Sequence, residues 1–441
     1  MTMINSNIKI ELLARREKLL SQMATNSIAL FFAAPEMARS NDTHYPYRQN
    51  SDFWYFTFFA EPEAVFAVIK QQDNIPKYVL FNRKKERLAE TWTGYRLGQQ
   101  AALDAILVDE AYPFDELDTV LPNLLNGKTI IYHAAQQYVY ADNFVDNAMR
   151  RLRQGYRTNL SVPNCIIDWR PIVHEMRMFK SDFEMAILRQ ACQISAKAHV
   201  RAMQKCKPSM FEYQLEAEIL HEFAWHGARA PAYNTIVGSG NNGCILHYEN
   251  NNEQLKAGDL VLIDAGCEYQ YYAGDITRTF PINGQFSQAQ REIYDIVLAS
   301  QYQAIKLLKP GTSIMEVNHY VVRTMVEGLV RLGIMHGDID TLIADKAYST
   351  FYMHGLGHWL GIDVHDVGSN RDRILAPGMV LTVEPGLYIN QDADVPAQYK
   401  GIGIRIEDNI LITQSGNEVL TSDVPKSPAE IEKLMGNKLT H

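Results

Sequence analysis

The chain has 441 residues, carries 51 Asp and Glu against 42 Lys and Arg, and has a formal charge of -9. A chain of this length accommodates about three domains or two large ones. Its acidity, with no long Lys/Arg block to offset it, argues against a nucleic acid or an anionic membrane as partner and fits a soluble enzyme. In chain order, residues 1–23 mix Lys9, Arg15, Arg16 and Lys18 with leucines at helical spacing, unlike the uninterrupted apolar centre of a secretory signal. They predict a helix whose apolar face is Leu12, Leu13, Leu19, Leu20 and Met23. Strand-like runs follow at residues 28–32, 53–59, 64–68 and 78–81, alternating with helical stretches, which predicts an α/β layer structure. No apolar run approaches the length of a membrane span; the best, residues 28–34, is strand-sized. The charged run Arg83-Lys84-Lys85-Glu86-Arg87 reads as a solvated helix start, or as a surface that meets another subunit.

Composition changes near Asp168-Trp169-Arg170-Pro171, a linker-like stretch, and the predicted boundary lies at about residue 174, giving domains 1–174 and 175–441. Beyond it, Ser181 and Glu184 have capping-box spacing, and Ile187, Leu188, Ala191, Ile194 and Ala198 recur at helical intervals. The five cysteines, Cys165, Cys192, Cys206, Cys244 and Cys267, are odd in number and lack Cys-x-x-Cys spacing. They read as reduced core thiols of a cytoplasmic protein. Ser427-Pro428-Ala429-Glu430 reads as the capped start of a short closing helix.

The second domain contains an internal repeat. Ser181-x-x-Glu184 opens a helix ending at Lys207-Pro208-Ser209, and Ser287-x-x-Gln290 opens another ending at Lys309-Pro310-Gly311-Thr312. A second amphipathic helix follows in each half, through Leu215 and Ile219 and through Val317, Val321 and Met325. Gly258-Asp259-Leu260-Val261-Leu262-Ile263-Asp264 then matches Gly378-Met379-Val380-Leu381-Thr382-Val383-Glu384, so Asp264 and Glu384 occupy equivalent places. Two copies with so long a period predict a pseudo-twofold domain and not a solenoid.

Five residues in these segments are candidate metal ligands: Asp264, Asp275, His358, Glu384 and Glu407. Asp264 and Glu384 end short apolar runs that read as buried strands, and Asp275 opens Asp275-Ile276-Thr277-Arg278-Thr279-Phe280 after Gly274. Acids at the ends of core strands need a cation, and four of them need more than one. Four carboxylates with one imidazole suit a pair of hard or borderline divalent ions. The histidines His247, His354 and His365 stand beside this set; His358 is framed by glycines in His354-Gly355-Leu356-Gly357-His358, which predicts a backbone brought close to a metal or substrate.

The order Asp264, Asp275, His358, Glu384, Glu407 resembles that of the dinuclear metallopeptidases with the pita-bread fold, which include methionine aminopeptidase, prolidase and aminopeptidase P. Every position of the five-ligand pattern is filled across about residues 175–420. The stretch Asn41-Asp42-Thr43-His44-Tyr45-Pro46-Tyr47-Arg48-Gln49-Asn50-Ser51-Asp52-Phe53-Trp54-Tyr55 is similar to the opening domain of the aminopeptidase P family. So are Gly274-Asp275-Ile276-Thr277-Arg278-Thr279-Phe280 and Gly401-Ile402-Gly403-Ile404-Arg405-Ile406-Glu407-Asp408, so the likeness spans nearly the whole chain. Methionine aminopeptidases generally lack the large amino-terminal domain, and creatinase lacks the metal set.

The resemblance implies an α/β (α+β) fold, with an amino-terminal α/β creatinase-like domain that restricts substrate and makes oligomer contacts, followed by a pseudo-twofold pita-bread metallopeptidase domain. It implies two divalent ions per subunit, Mn(II) by the family pattern, with Asp275 and Glu407 bridging them, Asp264 completing one, and His358 and Glu384 the other. A metal-bridging hydroxide would attack the bond before a proline at the second position of the peptide. Glu384 would exchange the proton, His365 would donate to the scissile carbonyl oxygen, and His247 and His354 would line the substrate side. Tyr233, His247, Tyr388, Arg371 and Arg405 match substrate-pocket positions, and Trp92 matches a residue that reaches the site from the amino-terminal domain. Packing is the alternative role for Tyr233 and Tyr388. Arg405, two residues before Glu407 on a predicted strand and so on its face, also stands to neutralise the acids.

The resemblance thus points to a cytoplasmic Xaa-Pro aminopeptidase, a homodimer or homotetramer with no nucleic-acid or membrane partner. The alternatives are prolidase, confined to Xaa-Pro dipeptides, and a non-catalytic pita-bread binding module, which usually loses metal ligands.

Overall fold

The computed structural model describes residues 6–368 and 370–436. The chain divides into two compact units after Met176.

The first unit is built on a six-stranded sheet in the order Glu110–Pro113, Pro76–Asn82, Val65–Lys70, Ser27–Phe32, Ile130–His133, Cys165–Ile167. The central pairs are antiparallel, while Ile130–His133 runs parallel to both of its neighbours. Helices Leu117–Leu125 and Val139–Gln154 cover one face, packing Leu121, Val145 and Leu152 against Leu30, Val65 and Phe81. On the other face Phe31 meets Phe56 at 4.7 Å and Trp169 at 4.8 Å between ring centroids. Burial on both faces is why the central strands read as unbroken apolar runs with no alternation.

Three expectations for this unit change. Residues 53–59 are not a strand: Ser51–Thr57 is a helix, with the Asn50 side chain accepting from the Phe53 N–H at 2.9 Å as its cap. All seven of its residues are buried, so it has no polar face from which a helical period could be read. The first helix, Ser6–Gln22, buries Leu12 and Leu19 as expected but leaves Leu13 exposed, and its buried face includes Arg15 and Arg16. Arg16 is fully buried because its guanidinium donates to the carbonyls of Phe56, Ile106 and Leu107, at the ends of two helices whose dipoles favour a cation there. The linker-like stretch is ordered: Trp169 is buried, its indole N–H donates to the Leu30 carbonyl at 3.0 Å, and Arg170–Met178 is a helix. Of the cysteines, Cys165 is exposed and the other four are buried.

The second unit shows the repeat in its backbone. Helices Asp182–Lys205 and Gln288–Leu307 both open on reciprocal capping boxes, and Glu212–Trp225 and Ile314–Arg331 follow them. Ser209 and Gly311, which end matching Lys-Pro turns, both have positive φ, 73° and 95°. Gly258 and Gly378, which open the matching strands, have φ of 93° and 91°. In the first half strand Leu260–Asp264 lies antiparallel between Ile236–Ser239 and Thr277–Pro281, with Ile236 opposite Asp264. In the second, Val380–Val383 pairs with Asp408–Ile412 on one side. On its other side residues 356–360 take the place of Ile236–Ser239, with Glu384 N–H donating to the Leu356 carbonyl at 2.8 Å. Asp264 and Glu384 therefore leave the ends of equivalent central strands.

Candidate metal centre

The side chains of these two acids, of Asp275 and Glu407, and of His358 open on one cavity of about 640 Å³ within the second unit. Asp275 precedes its strand, Thr277–Pro281, and Glu407 sits in the break between Ile402–Arg405 and Asp408–Ile412. Neither lies in a regular ladder; side chains hold them, with one backbone bond from Glu407 N–H to the Thr277 carbonyl at 3.0 Å. Asn409 acts as a peptide mimic: its Oδ1 accepts the Asp275 N–H at 3.0 Å, and its amide donates to the Asp275 carbonyl. Thr277 donates to Glu407 Oε2 at 2.6 Å. Gly266 permits the crossing of the two chain segments, since a Cβ there would lie 1.7 Å from the Gly274 carbonyl oxygen.

His358 is held by Thr382, whose hydroxyl accepts the His358 N–H at 3.0 Å. Protein neighbours crowd the flanking glycines. A Cβ on Gly357 would meet the Thr382 carbonyl oxygen at 2.0 Å, and one on Gly355 would meet Arg371 at 2.2 Å. His358 Nδ1 faces the Trp359 carbonyl at 3.0 Å, so in the neutral, metal-binding form of the ring Nδ1 carries the proton. In that form the lone pair of Nε2 faces Asp275 Oδ2, 3.3 Å away, and Glu384 Oε1, 3.6 Å away.

That arrangement needs positive charge between the groups. Ligand atoms of Asp275, His358 and Glu407 lie within 4.8 Å of one another. Tyr233 Oη is 2.6 Å from both Asp264 Oδ1 and Asp275 Oδ1, and its single proton satisfies only one of them. Burial pushes the Asp275 and Glu407 carboxyls up, Glu407 well above the usual range, with neighbouring carboxylates adding to the rise. Burial likewise raises Glu384 to about 7. Burial alone would lower His358, but Asp275 and Glu384 outweigh it and raise the imidazole to about 9. Oxygen-rich donors on an acid-crowded wall fit divalent cations of the hard or borderline kind.

Arg405 neutralises the acids as expected, though not by sharing a strand face with Glu407. Strand Ile402–Arg405 ends before Glu407, and the guanidinium turns to Asp264, 2.7 Å from Oδ2. Its Nε donates at 3.1 Å to Oγ1 of Thr277, the hydroxyl that serves Glu407. Tyr388 does not line the cavity; it is fully buried behind the wall, accepting from Arg405 at 2.9 Å and donating to His354 Nε2 at 2.7 Å. The other nitrogen of His354 donates to the Gly355 carbonyl, and burial, then the charge of Arg405, lowers its pKa to about 4, so the ring is neutral. Tyr233, His247, His354, His365, Arg371 and Arg405 lie on the cavity wall, with His247 and His365 exposed to it. Burial, then the charge of His358, lowers the His365 pKa. Trp92 belongs to the first unit, 82% exposed on helix Arg87–Thr93, which buries none of its residues.

Sequence reasoning missed Thr277, Thr382 and Asn409. Their partners are distant in the chain, and the available signal was only that each stands within two residues of a candidate ligand.

Residues 186–414 match the Metallopeptidase family M24, and residues 13–132 match the Aminopeptidase P, N-terminal domain. The chain is 62% identical to the Xaa-Pro aminopeptidase of Escherichia coli (strain K12) over 424 residues, 96% of each chain. It is 52% identical to the Xaa-Pro aminopeptidase of Haemophilus influenzae, over 97% of each. Among solved structures, zinc-substituted E. coli aminopeptidase P in complex with product superposes with a TM-score of 0.97 at 61% identity, covering 98% of this chain and 99% of that one.

Proposed function

The chain belongs to metallopeptidase family M24 and acts as an Xaa-Pro aminopeptidase, hydrolysing the bond between an amino-terminal residue and a following proline; we propose that it does so with two Mn(II) ions held by Asp264, Asp275, His358, Glu384 and Glu407. The observation that carries the metal reading is the meeting of four carboxylates and one imidazole, its Nδ1 held by the Trp359 carbonyl, at one cavity. When bound, the ions supply Lewis acidity, polarising the scissile carbonyl and making water nucleophilic near neutral pH.

The remaining chemistry belongs to side chains. The water oxygen adds to the carbonyl carbon, and Glu384, a carboxylate on the same cavity wall, takes the water proton. The proline nitrogen has no hydrogen of its own and leaves as a secondary amine only after receiving that proton. His365, neutral at the cavity surface, donates its ring N–H to the carbonyl oxygen as negative charge grows there. Ile236, Leu246, Trp359 and Val364 give the wall an apolar portion suited to the pyrrolidine ring, while the acids suit the free α-amine. Arg405 and Tyr388 hold Asp264 and His354 in place, and His247 and Arg371 border the peptide beyond.

In this reading the amino-terminal unit, with exposed Trp92, restricts the substrate and makes the contacts of a homodimer or homotetramer. The free cysteines are the observation behind a cytoplasmic location. The test compares an Xaa-Pro dipeptide with Xaa-Pro peptides of three or more residues, with Mn(II) present. Release of the first residue from the longer peptides is expected; cleavage of the dipeptide alone would make the enzyme a prolidase.

A further inference from the structure

His365, the proposed donor to the scissile carbonyl oxygen, is carried by a segment without regular structure, residues 361–368. Hydrogen-bond donors aimed at a developing charge must be held within a fraction of an ångström, and a coil cannot do this through its own ladder. Asp366, the next residue in sequence, is buried and lies among cations: Arg177 donates to its Oδ1 at 2.6 Å, and Lys180 Nζ donates to its Oδ2 at 3.0 Å. The Asp366, Arg177 and Lys180 side chains are 1%, 2% and 1% exposed. Arg177 also reaches Asp363 at 2.8 Å, so the cluster grips the chain on both sides of His365. The space is filled: a Cβ on Gly361 would lie 2.0 Å from Asp366 Oδ2 and 3.0 Å from Lys180 Cε. The far end of the clamp is tied to the metal centre, because Lys180 N–H donates to the Gly378 carbonyl at 2.9 Å, at the foot of the strand that delivers Glu384.

We propose that Arg177, Lys180 and Asp366 form a buried ionic clamp whose task is to fix His365 relative to Glu384, making Asp366 a positioning residue for peptide hydrolysis. A buried ion cluster gains little stability over apolar packing, so its geometric role is the reason for its presence here. This rests on the role given to His365 above.

The test is a double-mutant cycle with an Xaa-Pro tripeptide, on the full-length metal-loaded enzyme. Asp366→Asn should lower kcat tenfold or more, leave KM within twofold and leave the bound metal content unchanged. In the His365→Ala background it should add less than a twofold further loss, because the side chain being positioned is gone. The partly exposed Asp363→Asn loosens the same clamp from its open side and should show a smaller kcat loss, about threefold, that also vanishes in His365→Ala. It serves if Asp366→Asn fails to fold. Equal losses in both backgrounds would make the cluster merely structural and overturn the inference. An impaired His365→Ala beside a fully active Asp366→Asn, or Asp363→Asn if only that folds, would overturn the inference alone. An unimpaired His365→Ala would overturn the role of His365 as well.

Discussion

Replacing Thr277 by valine removes one hydroxyl and keeps the shape. Thr277 is fully buried, and its Oγ1 lies 2.6 Å from Glu407 Oε2, itself on a residue 2% exposed. A hydrogen bond to a charged group contributes about 1.5–3 kcal/mol. Each pKa unit corresponds to about 1.4 kcal/mol, so the loss should raise the Glu407 pKa by a further one to two, roughly. The sign follows from its role as an acceptor: Thr277 favours the carboxylate, and burial opposes it. A metal must displace the proton that Glu407 then keeps, so Mn(II) affinity at pH 7 should fall about 10- to 100-fold. Raising the pH removes that proton without help from the metal, so the deficit should narrow by pH 8.5. Isothermal titration of metal-free protein at the two pH values measures this directly. A dissociation constant within twofold of wild type at both would refute the claim that Thr277 favours the carboxylate form of Glu407.

Three further outcomes follow from the same geometry. Glu384 and His358 are raised to about 7 and about 9, so the metal-free fold holds protons that the unfolded chain has released. The stability they contribute is complete below their unfolded values and lost as pH climbs through 7 and then 9; scanning fluorimetry in chelator should therefore give a lower Tm at pH 8.5 than at pH 6, and a higher one would contradict it. Arg16→Met strips the carbonyls of Phe56, Ile106 and Leu107 of a buried donor and should cost about 3 kcal/mol or more, seen as a reduced urea midpoint for the first unit. Gly357→Ala drives a methyl to 2.0 Å from the Thr382 carbonyl oxygen and should displace His358, lowering the metal content by elemental analysis while circular dichroism stays native; two ions retained at unchanged affinity would speak against it.

The acids and histidines could be read together from the chain because each borders an apolar run or a glycine, and Asp264 and Glu384 occupy matching places in two halves. The repeat survives in backbone detail down to the paired positive φ angles of Gly258 and Gly378. What holds those groups was not legible. Asn409 reaches back to Asp275, Thr277 forward to Glu407, and Asp366 to Arg177 and Lys180, each across more than 100 residues of chain. Such pairings leave no local period. The helix Ser51–Thr57 was read as a strand because an apolar face is visible only against a polar one, and it has none. Arg15 and Arg16 were left out of the predicted apolar face, although both are buried, because their compensation comes from backbone carbonyls of other segments. Arg405 was placed beside Glu407 by strand alternation, but the strand ends at Arg405, two residues short of Glu407.

The central claim is that five side chains, Asp264, Asp275, His358, Glu384 and Glu407, hold two cations side by side. Electron paramagnetic resonance of metal-free protein titrated with Mn(II) tests it most directly. At two equivalents the account predicts the broadened, exchange-coupled spectrum of a manganese pair a few ångströms apart, with the isolated-ion signal lost as the second site fills. An isolated six-line Mn(II) signal that grows in proportion to added metal through two equivalents would contradict it.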